Sequence, residues 1–305
     1  MMRALAAFIV AGPLQAVVVI ALFTALSLLV PPLIYGGAAA LALYSLHTGA
    51  RRGAIVLLGA MLVTGLLTEM LLQQGVTIAV TLLLLWISVW LSAVVLRETR
   101  SLAMAMLALS MLAMIAILLT FAWFGDPSQW WLEFLQGLIN SLASQPESSI
   151  DSALWMEVAE QAAPFMTGSL AASLSLAVMI CLVLGRWWQS LIIKPGALRK
   201  EFYALRLNKI LSLLAVVIFA VAALKLGGVS ALALQWSLVV MVPFLFVGLA
   251  VIHATLANLK AARIWLIIIY VLMSFSPQVM ILVIAMGILD PWLDLRRRTE
   301  KSEII

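Results

Sequence analysis

Residues 185–209 read GRWWQSLIIKPGALRKEFYALRLNK, with Arg186, Lys194, Arg199, Lys200, Arg206 and Lys209 set against one acid, Glu201. On either side lie long apolar segments almost free of charge. Apolar runs of roughly 18 residues or more are what a helix needs to cross about 30 Å of hydrocarbon. A basic island between two such runs therefore reads as a loop on the side of a membrane where Lys and Arg are retained.

Composition extends this reading to the whole chain. Of 305 residues, 65% are hydrophobic and 10% are charged, and the mean hydropathy is +1.18. A soluble domain carries about one-quarter charged residues, so this chain cannot coat a water-facing globule. No stretch alternates apolar and polar residues as a barrel strand does, which leaves an all-α polytopic transmembrane helical bundle. The net charge of +5 follows from retention of basic residues in cytoplasmic loops and does not point to nucleic acid. The single cysteine, Cys181, excludes a disulfide within one chain. Arg3 precedes an apolar run too long for a signal peptide and without a cleavage site, so the run is expected to be a retained first span.

Eight full spans are expected, at residues 4–30, 33–46, 54–72, 76–96, 102–124, 163–184, 210–226 and 230–252, with a broken last segment at 264–289. Together they make residues 1–305 one membrane domain with a charged tail at 290–305. Between 125 and 161 the acids Asp126, Glu133, Glu147, Asp151, Glu157 and Glu160 occur with no Lys or Arg. Asp126-Pro127 and Asp151 are helix-start signals. Trp131, Phe134, Leu135, Leu138 and Leu142 recur at helical spacing, so this segment reads as an external pair of amphipathic helices on the membrane surface.

Counting basic residues orients the chain. Arg51-Arg52, Arg97/Arg100, residues 185–209 and Lys260/Arg263 alternate with Gln73-Gln74, the acidic segment and Gly227-Gly228. The first set is expected in the cytoplasm and the N-terminus with it. One more crossing would place Arg296-Arg297-Arg298 outside. The Ser274-Phe275-Ser276-Pro277 break offers a re-entrant hairpin that keeps this tail cytoplasmic, and one kinked helix is the alternative.

No phosphate loop, zinc-protease motif, nucleophile elbow or paired cysteine is present, so no enzyme, cofactor or metal site is expected. Glu69 and Lys225 are ionisable groups near the external ends of two spans. Either they form an ion pair lining an external cavity or each snorkels to the interface alone. Small residues four apart, such as Ala21/Ala25, let helices approach closely, within the bundle or against a second membrane subunit. The tryptophans near inferred interfaces, among them Trp130, Trp131, Trp187 and Trp188, read first as an aromatic belt. In the basic stretch, Pro195-Gly196 resets the chain. Leu198, Phe202 and Leu205 then recur at helical spacing, flanked by Arg199, Lys200 and Arg206. This fits an interfacial helix on anionic lipid or a partner-docking surface.

Arg186-Trp187-Trp188-Gln189, Lys194-Pro195-Gly196-Ala197, Glu201-Phe202 and Leu205-Arg206-Leu207 together resemble the cytoplasmic signature of the YybS-like bacterial membrane proteins, a family of undefined function. Ser276-Pro277, Gly287-Ile288-Leu289-Asp290, Trp292-Leu293-Asp294 and Arg296 resemble that family's closing segment. The resemblance implies a multi-pass protein of the bacterial inner membrane. Through the family's distant similarity to the S components of energy-coupling-factor transporters, it also implies solute binding toward the external half and docking of another subunit through Ala21 and Ala25. The chain departs from S components in having more than six expected spans and the acidic insertion, and it carries no vitamin-site motif. Two readings stay open: a solute-binding or transport-related subunit of unknown solute, and a non-transporting scaffold or assembly factor working through its basic cytoplasmic face.

Overall fold

The computed structural model describes residues 1–73, 75–145, 151–224, 226–257 and 262–296. Among them the secondary structure is helical throughout, with no strand. In chain order the helices are α1 (Met2–Val10), α2 (Pro13–Ser27), α3 (Ile34–Thr48), α4 (Ala50–Leu72), α5 (Gly75–Thr99), α6 (Leu102–Phe124), α7 (Ser128–Ala143), α8 (Ser152–Ala162), α9 (Met166–Ile193), α10 (Ala197–Tyr203), α11 (Lys209–Ala223), α12 (Gly228–Leu256), α13 (Ala262–Phe275) and α14 (Pro277–Leu293).

Five stretches are long and apolar enough to cross a membrane: Ala50–Met70, Leu82–Thr99, Leu102–Phe124, Ser152–Ile193 and Gly228–Leu256. A sixth is gained if the bent pair α13–α14 counts as one span. The expectation of eight full spans is corrected accordingly. The first expected span is cut in two, because Gly12 is extended and Pro13 opens α2. Proline has no amide proton to continue a helix and disfavours helical geometry in the residue before it. What remains of the first, second and seventh expected spans are 15-residue helices, α2, α3 and α11. At 1.5 Å per residue each reaches about 22 Å, short of the hydrocarbon thickness.

One of these short helices is the centre of the molecule. Every residue of α3 from Gly36 to Leu46 is buried, and α1, α2, α4, α5 and α9 surround it. Its small residues permit this close approach. Gly37 faces the Ile20 carbonyl of α2, and Gly185 of α9 sits against Ala39 and Ala42. The periphery is the reverse of a soluble protein's. Leu58, Leu62 and Leu66 of α4, Met111, Ile115 and Leu119 of α6, and Ile264, Ile267 and Val271 of α13 are exposed. Apolar surface on this scale fits a membrane protein whose solvent is lipid.

The last segment folds back. Between α13 and α14 the chain turns by 118° at Ser276-Pro277. From there α14 packs against α12 at glycines. A β-carbon on Gly248 would strike the Val283 carbonyl, and one on Gly287 the Phe244 carbonyl. The C-terminal ends of α12 and α14 both meet the α10 region, through Phe202 on His253 and Arg206 on Asp294. The pair thus finishes at the α10 end of the bundle, and its bend fits either a broken span or a re-entrant hairpin.

Candidate functional site

The bundle has two chemically distinct ends. The C-terminal ends of α3, α5, α9, α12 and α14 gather around α10 at one of them, here the basic end. At the other, Asp126 before α7, Trp131 of α7 and Thr167 of α9 line a common cavity, and Gln235 of α12 meets Gly168 of α9.

The basic end is built by the 185–209 stretch. Helix α9 stops at Lys194, which is extended, and Gly196 at φ 83° supplies the left-handed turn that glycine tolerates. The chain reverses, and the short helix α10 lies back on α9. Arg186 then meets Glu201 with both arms of its guanidinium, one of them at 3.0 Å, and donates a further hydrogen bond of 2.5 Å to Gln189 Oε1. A two-armed arginine–carboxylate pair fixes orientation as well as distance. On the other side of α10, Phe202 packs edge-on to His253 of α12, whose Nε2 lies 3.0 Å from the Tyr270 hydroxyl of α13. Arg199 donates to the Tyr203 hydroxyl at 3.1 Å, with its guanidinium carbon 5.2 Å from the ring centre. Lys200 is exposed. The two tryptophans part company: Trp188 is buried against Phe23, and Trp187 lines a cleft.

The closing segment completes this end. Leu205 and Leu207 are buried while Arg206 between them reaches Asp294 at 2.8 Å. Arg296 donates to the carbonyls of Tyr203 and Leu205, the latter at 2.6 Å, and pairs with Asp290 at 3.3 Å. The Asp290 and Arg296 side chains are 1% and 9% exposed, so this pair is buried. Burial lowers the basicity of the Arg296 guanidinium, and the Asp290 carboxylate counters that. The 185–209 stretch and the closing segment, far apart in sequence, are in this way bonded into one unit.

Two cavities flank α10. A cleft of about 450 Å³ is lined mainly by Trp187, Leu198, Arg199, Phe202, His253 and Tyr270. A more polar one of about 290 Å³ is lined by Arg97, Arg100, Arg186, Gln189 and Glu201 over Leu46 and Leu96. Arg97 is held there by the Leu46 and His47 carbonyls at the end of α3, at 2.5 and 2.8 Å.

The other expected site residues fall elsewhere. Glu69 is exposed near the end of α4, and Lys225 lies outside the described residues, as do Lys260, Arg297 and Arg298. Ala21 is buried in the bundle and Ala25 is exposed, so half of the expected docking face is already used within the chain. Sequence reading did not single out Arg97, Gln189, His253, Asp290 and Arg296 as functional. Asp290 gave a usable signal, an acid at the end of an apolar run, where a charge needs a partner.

No family model, curated protein or solved structure matches the chain.

Proposed function

We propose that this chain is an integral membrane scaffold or assembly factor that docks a partner through its basic end. The observation that carries this reading is the convergence at one end of Arg186–Glu201, Arg206–Asp294 and Arg296–Asp290. Side chains from residues over a hundred positions apart hold a fixed polar surface there, while the centre of the bundle is filled by α3. Rigid, pre-formed charged surfaces favour specific docking because little ordering is left to be done on binding. This reading takes the end rich in basic residues as the cytoplasmic one, on a bacterial inner membrane, because Lys and Arg are retained on that side. A solute-binding subunit, the rival reading, would instead work at the opposite end near Glu69.

Copurification from native membranes tests the proposal. Arg186→Ala, Glu201→Ala and Arg206→Ala, made singly beside the exposed change Lys200→Glu, are expected to lose associated proteins while the chain still reaches the membrane at normal levels. Retention of the same partners by all four variants would exclude docking at this end. A compartment reporter fused to the C-terminus is expected to read cytoplasmic.

A further inference from the structure

We infer that the 290 Å³ cavity between the ends of α3, α5 and α9 and the helix α10 is a binding site for a phosphate-bearing anion. This deepens the reading of the basic end as the working face, but it is carried by its own geometry.

Three arginines, Arg97, Arg100 and Arg186, line one cavity with a single acid, Glu201. That carboxylate is already engaged by Arg186 on both of its oxygens. The remaining two charges have no acid of the cavity wall to neutralise them. Like charges held together in a partly enclosed space repel unless an anion joins them.

Two of the arginines, Arg97 and Arg186, are also positioned in advance. Arg97 is tied through one nitrogen, Nη1, to the last carbonyls of α3, and its guanidinium lies over Gly49. Gly49 itself sits at φ 98°, a left-handed backbone that favours glycine. Arg100, just after α5, has the uncommon left-handed φ of 53° and makes no side-chain hydrogen bond or ion pair among the described residues. A planar fork of donors held in place is the geometry that binds phosphate oxygens in pairs, which a lysine ammonium does not supply. Leu46 and Leu96 give the cavity one apolar wall, suited to the carbon skeleton attached to a phosphate ester. A phosphate group has two sources here. One is the headgroup of an anionic lipid, as basic pockets between membrane helices bind. The other is a free phosphorylated compound.

The test uses the purified full chain without partners, so its outcome is independent of whether docking occurs. Inorganic phosphate is titrated against thermal unfolding, and retention of phosphatidylglycerol over phosphatidylcholine is read by native mass spectrometry. Arg100→Asn is the informative variant: asparagine accepts the left-handed backbone, and the exposed position leaves folding intact, checked by circular dichroism. Arg263→Asn removes an equal charge away from the cavity. Binding of phosphatidylglycerol alone assigns the site to lipid, and binding of inorganic phosphate assigns it to a free phosphate compound. In either case Arg100→Asn is expected to weaken binding about tenfold or more, the loss of a charge-assisted hydrogen bond, and Arg263→Asn to leave it within about twofold. The inference is overturned if neither probe binds the unaltered chain, or if the two variants bind alike.

Discussion

The two ends of the bundle use charge in opposite ways. At the acidic end two carboxylates serve their own helices. Asp126 accepts from the Ser128 amide and hydroxyl, and Asp151 from the amides of Ala153 and Leu154. Neutral groups make long-range contacts there, Trp131 with Thr167 and Gln235 with Pro164 and Gly168. At the basic end the charges themselves make the long-range contacts, joining α9 to α10 and α10 to the segment after α14. A charge satisfied by its own helix constrains only that helix. A charge satisfied by a distant residue ties together parts of the chain that propensity alone would leave independent.

This contrast can be broken by experiment, and the largest effect is expected at the buried pair. Arg296→Gln leaves the Asp290 carboxylate buried without its cation and is expected to destabilise the fold by about 3–5 kcal/mol. Replacing both together, Asp290→Leu with Arg296→Met, is expected to recover most of that. Thermal unfolding followed by size-exclusion chromatography of the detergent-solubilised chain reads both; equal losses in the single and double variants would mean that the pair has no special coupling.

An intermediate effect is expected at the acidic end's neutral link. Gln235→Ala strands the Gly168 amide and the Pro164 carbonyl, at a cost of about 1–3 kcal/mol in the same assay. A loss as large as that of Arg296→Gln would show that the two ends are equally cross-linked.

The smallest effects are expected where charge is local or exposed. Asp151→Ala removes the cap of α8 and costs about 1 kcal/mol of helix stability. Hydrogen exchange is expected to rise in α8 with little change in the global unfolding temperature. Arg206→Ala breaks a pair whose side chains are 47% and 34% exposed, and is expected to cost under about 1 kcal/mol. A global shift from Asp151→Ala larger than that from Arg206→Ala would reverse the comparison.

Much of this was legible in the residues. The all-helical class followed from apolar runs and scarce charge, the cap at Asp151 from its position before a helical pattern, and the break at Ser276-Pro277 from the proline. Gly12-Pro13 carried the same kind of signal as that break, but the hydrophobicity around it reads as one continuous span. The approach of Arg186 to Glu201 was half legible, since both lie in one basic stretch. The approach of Arg206 to Asp294 was not, because nothing local in either residue specifies a partner 88 positions away.

The sequence by itself determined the solvent of this protein. Apolar runs, the few charges and their uneven placement are sums over local composition, and composition decides which surfaces lipid accepts. Only the tertiary structure decided that α3 is a buried centre, because a largely apolar stretch reads alike as a lipid-facing segment or a packed core helix until its neighbours are in place. It also decided that the basic stretch is more than a topological marker. Pairing between charges depends on distances across the fold, and those are set only when α9, α10, α12 and α14 have packed.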